Sequence, residues 1–254
     1  MKKLYLKMNV FNQLLDIISK KGAAYIVLID PDKKNENLIE ACVSTANESG
    51  VDALFVGGSL IMDGGYIDRV KRIKEIAMIP VIFFPGGISQ LNSNYDAMLF
   101  MSIISGRNPH YLIGEQVIAS PTIMDLGIET ISTGYMILDG GSGSAVEFMS
   151  GTRPIPMHRT DITVAHALAG QFLGMKLIYL EAGSGAKNPV ELDVIQQVNQ
   201  AIDIPIIVGG GICTPEAASD RVNAGASIIV TGTAIESNMF LMKEFSEAVH
   251  RKNS

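Results

Sequence analysis

Tyr179 and Glu181 lie two residues apart in the run YLEAGSGA, Tyr179–Ala186. Strand alternation puts both on one face. A carboxylate facing an apolar interior is costly unless it is used or paired. Glu181 is therefore a candidate base for an alcohol proton, with Tyr179 orienting the alcohol. The small-residue stretch after it, Ala182–Ala186, offers backbone N–H groups to an anion.

Three further motifs have the same form, an apolar run that ends in polar or glycine residues. LIDPDK (Leu28–Lys33) places Asp30 at a chain turn forced by proline. A carboxylate there either caps the turn or binds Mg²⁺, a hard cation that takes oxygen ligands and bridges phosphates. Asp32 reads as the turn residue. VGGS (Val56–Ser59) offers the Ser59 hydroxyl to a metal or phosphate, or else caps a tight turn. IIVGGGI (Ile206–Ile212) and VTGTAIE (Val230–Glu236) are consecutive glycine-rich turns. Such a pair after strands seven and eight of a barrel is a recurrent phosphate site, and it points to Gly210, Gly211, Gly232 and Thr233.

These motifs need a scaffold that brings strand ends together. Eight short apolar runs recur along the chain: Ala24–Ile29, Ala53–Val56, Val81–Phe84, Ala97–Met101, Ile131–Leu138, Leu177–Leu180, Ile204–Val208 and Ser227–Val230. Their brevity and Val/Ile content fit parallel strands buried on both faces. Helical periodicity fills most of the gaps, over Glu36–Glu48, Tyr66–Ile76, Ile162–Phe172, Pro189–Ala201, Pro215–Ala224 and Asn238–Val249. Asn188 and Thr214 are placed as N-caps before Pro189 and Pro215. Val10–Ile18, interrupted by Asn12, Gln13 and Asp16, reads as an amphipathic first helix and not as a secretory signal. The expected fold is α/β, a single (β/α)₈ TIM barrel over residues 1–254. Its third helix is replaced by the irregular segment Pro85–Asp96, PGGISQLNSNYD. Gly140–Pro156 reads as a long Gly/Ser-rich loop.

Composition narrows the function. The 254 residues carry 20 basic and 26 acidic side chains, a net charge of −6. No basic stripe is present, which argues against nucleic acid, whose binding requires phosphate neutralisation. Cys42 and Cys213 lie far apart with no metal-ligand spacing, as in a reduced cytoplasmic protein. No apolar stretch reaches the ~18 residues of a membrane span. His110, His158, His166 and His250 show no metal spacing, and only His158, in the long loop, is a candidate substrate contact. Hydrophobic residues make up 47% beside 25 glycines, and charged residues only 18%, against about 25% in an average soluble domain. That excess requires a doubly buried sheet, a subunit interface or an apolar ligand. From the residues alone the reading is a Mg²⁺-aided enzyme on a small phosphorylated substrate with Glu181 as base. A phosphosugar isomerase or lyase and a non-catalytic phosphate-binding barrel remain open beside it.

LIDPDK, VGGS, YLEAGSGA, VGGGI and TGTAIE, taken together and in this order, resemble the geranylgeranylglyceryl phosphate synthase family. RPIP (Arg153–Pro156) resembles its second group, found in archaea and some bacteria. The similarity runs from about Phe11 to Val249. It implies transfer of a C20 polyprenyl group from its diphosphate to the sn-3 hydroxyl of sn-glycerol 1-phosphate, the first ether bond of ether lipids. A heptaprenylglyceryl phosphate synthase, with a longer tail, is the alternative within the family. The resemblance assigns Mg²⁺ to Asp30 and Ser59. Glycerol phosphate goes to Tyr179, Leu180, Glu181, Ala182, Gly183, Ser184 and Gly185, with Glu181 accepting the hydroxyl proton. Its phosphate goes to Gly210, Gly211, Gly232 and Thr233. It also implies an isoprenoid groove across the barrel top toward Pro85–Asp96, a homo-oligomer, and a passing contact with a membrane surface for the lipid product. With no Trp in the chain, Tyr111 is the candidate limiter of chain length.

Overall fold

The computed structural model describes residues 9–250. Eight parallel strands close in sequence order, β1-β2-β3-β4-β5-β6-β7-β8, with β8 pairing back on β1. They are β1 (Ala24–Ile29), β2 (Ala53–Val56), β3 (Val81–Phe83), β4 (Ala97–Ile103), β5 (Glu129–Ile137), β6 (Leu177–Glu181), β7 (Ile206–Gly209) and β8 (Ile228–Thr231). The helices are α1 (Val10–Lys21), α2 (Ile39–Glu48), α3 (Tyr66–Ile76), α4 (Glu115–Leu126), α5 (Ala145–Ser150), α6 (Thr160–Phe172), α7 (Leu192–Ala201), α8 (Pro215–Ala224), α9 (Thr233–Ser237) and α10 (Met242–Val249).

Alternation along each strand divides the core. Ile26, Phe55, Ile82, Leu99, Ile131, Ile207 and Ile228 fill the barrel interior. Val27, Leu54, Val56, Val81, Leu180 and Val208 face the helices. This is why the strands read as unbroken apolar runs: both faces are dry. Helix α1 closes the bottom, sending Val10 and Leu14 into the interior cluster. The Glu129 carboxylate accepts from Val10 N–H at 2.6 Å and Phe11 N–H at 3.1 Å. It thus satisfies orphan donors at a positive helix end.

Between β3 and β4 the chain makes one short helical turn, Ile88–Gln90, where other units carry a helix, as the sequence predicts. Of three local expectations, two are corrected and one holds. Asn188 does not cap α7, which begins at Leu192 after Glu191, because Val190 is buried in the outer core and the chain stays irregular to seat it. Thr214 does cap α8, accepting from Ala217 N–H with Pro215 in the first turn. Gly140–Pro156 is not all loop. It carries α5, opened by a capping box between Ser144 and Glu147, a spacing readable in the sequence. RPIP then folds back on the end of β5, where Ile155 bridges Leu138.

Candidate active site

The site lies at the C-terminal end of the barrel, where strand alternation delivers inward side chains to the loops. On β6, Tyr179 (1% exposed) and Glu181 (7%) both face inward. Glu181 Oε1 accepts from the Gly183 N–H at 2.6 Å, and the hydroxyls of Tyr135 and Tyr179 face its carboxylate and favour its charged form. Burial pushes the Glu181 pKa up, and those three groups pull it partly back. Burial and the neighbouring Glu181 raise both tyrosines well above their ordinary range, so they stay protonated donors. The result is a largely buried carboxylate with a raised pKa at the wall of an open cavity, a candidate to accept a proton.

Tyr135 was not among the residues expected from sequence. The register of β5 on β6 pairs Tyr135 with Tyr179, and their rings lie 5.0 Å apart. Phe84 packs on both, at 6.1 and 5.8 Å. The available signal was the phase of β5, in which Ile131, Tyr135 and Ile137 all face the interior.

The glycines at the end of β7 and just after it have a steric role that the motif alone does not reveal. A Cβ on Gly209 would lie 2.3 Å from the Tyr179 hydroxyl. One on Gly210, whose φ is +84°, would lie 2.5 Å from Glu181 Oε1. The GGG run therefore makes room for the tyrosine–glutamate pair as well as turning the chain. Gly232 is not forced in this way: nothing lies nearer than 3.6 Å to its would-be Cβ. Ser184 Oγ lies 3.5 Å from Thr233 Oγ1, joining the loops after β6 and β8.

Around this group opens a cavity of about 450 Å³. Asp30, Ser59, Tyr179, Glu181, Ser184, Gly185, Gly210, Gly211, Gly232 and Thr233 line it. The structure thus collects motifs from five strand ends. Leu180 and Ala182 instead send their side chains into the outer core, and Gly183 contributes its N–H to Glu181. Lys34, just past LIDPDK, lines the cavity and was not singled out from sequence. His158 is exposed and lies on neither this cavity nor its neighbour.

Asp30 is the second perturbed carboxylate. Burial pushes its pKa up to about 6, against the pull of Lys34 and Arg69, and its Oδ1 is buried with no hydrogen-bond partner. A Cβ on Gly58 would lie 2.8 Å from that oxygen, so VGGS also makes room for Asp30. Asp32 is the turn residue, accepting from Lys33 N–H at 2.6 Å. Among the described residues no group of three or more His, Cys, Asp or Glu could enclose a metal. The orphaned oxygen suits a Mg²⁺ held by one protein carboxylate and otherwise by substrate oxygens, the usual mode for that ion.

A second cavity, about 110 Å³, adjoins the first beside the missing helix. Phe83, Phe84, Ile88, Leu91, Met98, Phe100, Met101, Tyr111 and Met149 line it. Ser59, Phe84, Tyr135 and Val146 line both cavities. An apolar furrow thus opens into the polar mouth where Glu181 sits, with α5 flanking the two.

The model of the PcrB family matches residues 15–249. The geranylgeranylglyceryl phosphate synthase of Chitinophaga pinensis is 43% identical over 242 residues, covering 95% of this chain and 96% of that protein. The enzyme of the same name from Thermococcus kodakarensis is 46% identical over 213 residues, 84% of each. Among solved structures, (S)-3-O-geranylgeranylglyceryl phosphate synthase from Thermoplasma acidophilum, in complex with its substrate sn-glycerol-1-phosphate, superposes with a TM-score of 0.87. It is 34% identical, over 96% of this chain and 99% of that one.

Proposed function

The chain belongs to the PcrB family, and from that membership we propose that it is a prenyltransferase that joins a polyprenyl diphosphate to the sn-3 hydroxyl of sn-glycerol 1-phosphate. The observation that carries this reading is the meeting of a polar mouth and an apolar furrow over Ser59, Phe84 and Tyr135. A phosphosugar isomerase has no use for the furrow. A geranylgeranyl donor is supported by the names of the relatives.

In this reading, Gly210, Gly211, Gly232 and Thr233 hold the phosphate of glycerol phosphate, and Ser184 and Gly185 close over it. Glu181 accepts the proton of the sn-3 hydroxyl. Tyr135 and Tyr179 fix the carboxylate and keep its charge tolerable in a dry site. Asp30, with Ser59 beside it, is assigned to a Mg²⁺, whose chemistry when bound is to offset charge on the departing diphosphate. The allylic C–O bond breaks as the ether C–O bond forms, and the proton passes to Glu181. Phe84 and the furrow walls exclude water from the cationic carbon, which would otherwise be hydrolysed.

Tyr111, on the furrow wall and not on the mouth, is assigned as the limiter of tail length. Among the described residues no helix is long and apolar enough to cross a membrane. Two free cysteines support a cytoplasmic setting. Val117, Ile118 and Met124, exposed along α4, support assembly with further copies of the chain.

Incubation with radiolabelled sn-glycerol 1-phosphate and a panel of prenyl diphosphates shorter than, equal to and longer than the C20 donor tests the reading. Label must enter the lipid phase, most rapidly with the C20 donor. Label that stays in water with every donor overturns prenyl transfer. A longer preferred donor overturns the C20 assignment alone.

A further inference from the structure

Arg69, in the first turns of α3, is only 3% exposed and belongs to no motif read as chemical. A buried guanidinium is costly unless its donors are used. Its Nε donates to the Pro31 carbonyl at 2.7 Å, and its Nη2 donates to Asp63 Oδ1 at 2.7 Å. Nη1 lies 3.9 Å from Glu36 Oε2. Asp63 Oδ1 also accepts from the Gly65 N–H at 2.6 Å. A Cβ on Gly65 would sit 2.7 Å from Arg69 Nη1, so the turn is shaped around the guanidinium.

The two anchors belong to different loops. Pro31 directly follows Asp30 in the loop after β1, and Asp63 follows Ser59 in the loop after β2. These strands are neighbours, with Ile29 paired to Val56. The Asp30 carboxylate has no partner on Oδ1 to fix it. Its place is set through the main chain, by Asn35 Nδ2 on the Asp30 carbonyl at 3.0 Å and by Arg69 on the next carbonyl. The second ties it to the loop that carries Ser59, where the Gly57 N–H also donates to the Ile29 carbonyl at 3.2 Å.

Resting on the assignment of Asp30 and Ser59 to the diphosphate, we propose that Arg69 is the positioning residue for that half of the site: one buried guanidinium clamps the β1 and β2 loops and sets the spacing at which Asp30 and Ser59 meet a magnesium diphosphate. It touches no reacting atom. A planar fork suits this task better than an ammonium, which makes no bidentate bridge of fixed geometry.

The test uses full-length wild type, Arg69→Met, Arg69→Lys and Asp63→Asn. Titration calorimetry reads binding of magnesium pyrophosphate and, separately, of sn-glycerol 1-phosphate. Hydrogen exchange on the metal-free proteins reads the amides of residues 32–36 and 60–65. In Arg69→Met, magnesium pyrophosphate binding must weaken about 10-fold or more, the usual scale for losing a group that orients a ligand. Glycerol phosphate binding must stay within about 2-fold. Exchange must rise in both loops together, and Arg69→Lys must recover only part of each effect. Asp63→Asn, changed at the more exposed side of the clamp, must give the same pattern and serves if Arg69→Met does not fold. Equal weakening for both ligands, or no change for either, overturns the proposal. Wild type that fails to bind magnesium pyrophosphate overturns the diphosphate assignment itself, whereas wild-type binding with indifferent variants overturns the clamp alone.

Discussion

The two ends of the barrel treat buried carboxylates in opposite ways. At the N-terminal end, Asp52 is 6% exposed. It accepts from Lys21 Nζ at 2.6 Å and from the Tyr25 N–H at 2.8 Å, and lies 2.7 Å from His250 Nε2. Burial alone would raise its pKa, but the bonds to His250, Lys21 and Tyr25 N–H outweigh burial and hold it below the ordinary carboxylate range. It knits α1, β1 and the residue after α10. At the C-terminal end, burial prevails: Glu181 is raised, and Asp30 stands at about 6 with an unpartnered oxygen. Asp52 uses its charge to hold elements together. Glu181 and Asp30 keep theirs under strain, available to a proton or a cation. Barrel enzymes divide in the same sense, with stability at the bottom and chemistry at the top.

Substitutions can break that contrast. Glu181→Gln is expected to cut turnover by about 10³-fold, the scale of a lost general base. Glycerol phosphate binding should stay within a few-fold and the melting temperature should not fall, since a strained charge has gone. Full turnover in this variant would remove Glu181 from the mechanism. Asp52→Ala should do the reverse. Stripping one member from a buried ionic cluster costs about 3 kcal/mol, read by chemical denaturation, while kcat of the folded fraction stays at the wild-type level. Asp30→Asn should weaken Mg²⁺ and diphosphate use about tenfold, equal to ~1.4 kcal/mol for one charged contact, with glycerol phosphate unaffected.

The pH dependence separates the ends further. Asp52 has a depressed folded pKa. The stability it contributes is therefore present above its unfolded value near ~3.9 and lost as pH falls through the folded value. Asp30 and Glu181 have raised folded values, so acid neutralises them without loss of fold. Activity should fall as pH drops through about 6, where Asp30 protonates, while the melting temperature holds until well below ~4. Coincident loss of both would contradict the contrast. The smallest effect is expected at Tyr111→Ala, a shift of a few-fold toward longer donors, measured as relative rates across the prenyl series, in keeping with the ~1–3 kcal/mol available from apolar pocket changes.

The barrel was legible because its strands are dry on both faces, which leaves short Val- and Ile-rich runs that little else explains. Asp30, Ser59, Glu181 and the glycine turns were legible because they end such runs. Tyr135 was not, since it sits inside a run and its importance comes from cross-strand register with Tyr179, which one strand does not encode. Arg69 reads as one more charge in the segment YIDRVKRIKEI, and only its burial sets it apart. Helix α5 was announced by Ser144 and Glu147, but the surrounding glycines and serines masked it. Asn188 and Pro189 have the form of a helix start, yet burial of Val190 delays α7. Local rules fail here where tertiary packing sets the backbone.

The most direct test is carboxyl-carbon NMR titration of Asp30, Glu181 and Asp52 in one sample, followed by addition of sn-glycerol 1-phosphate and of magnesium pyrophosphate. The account predicts Asp52 titrating below the ordinary range, Glu181 above it and Asp30 near 6. Glycerol phosphate should move the Glu181 resonance, magnesium pyrophosphate the Asp30 resonance, and neither the Asp52 resonance. Three ordinary titrations, or ligands that leave Glu181 and Asp30 unmoved, would contradict it.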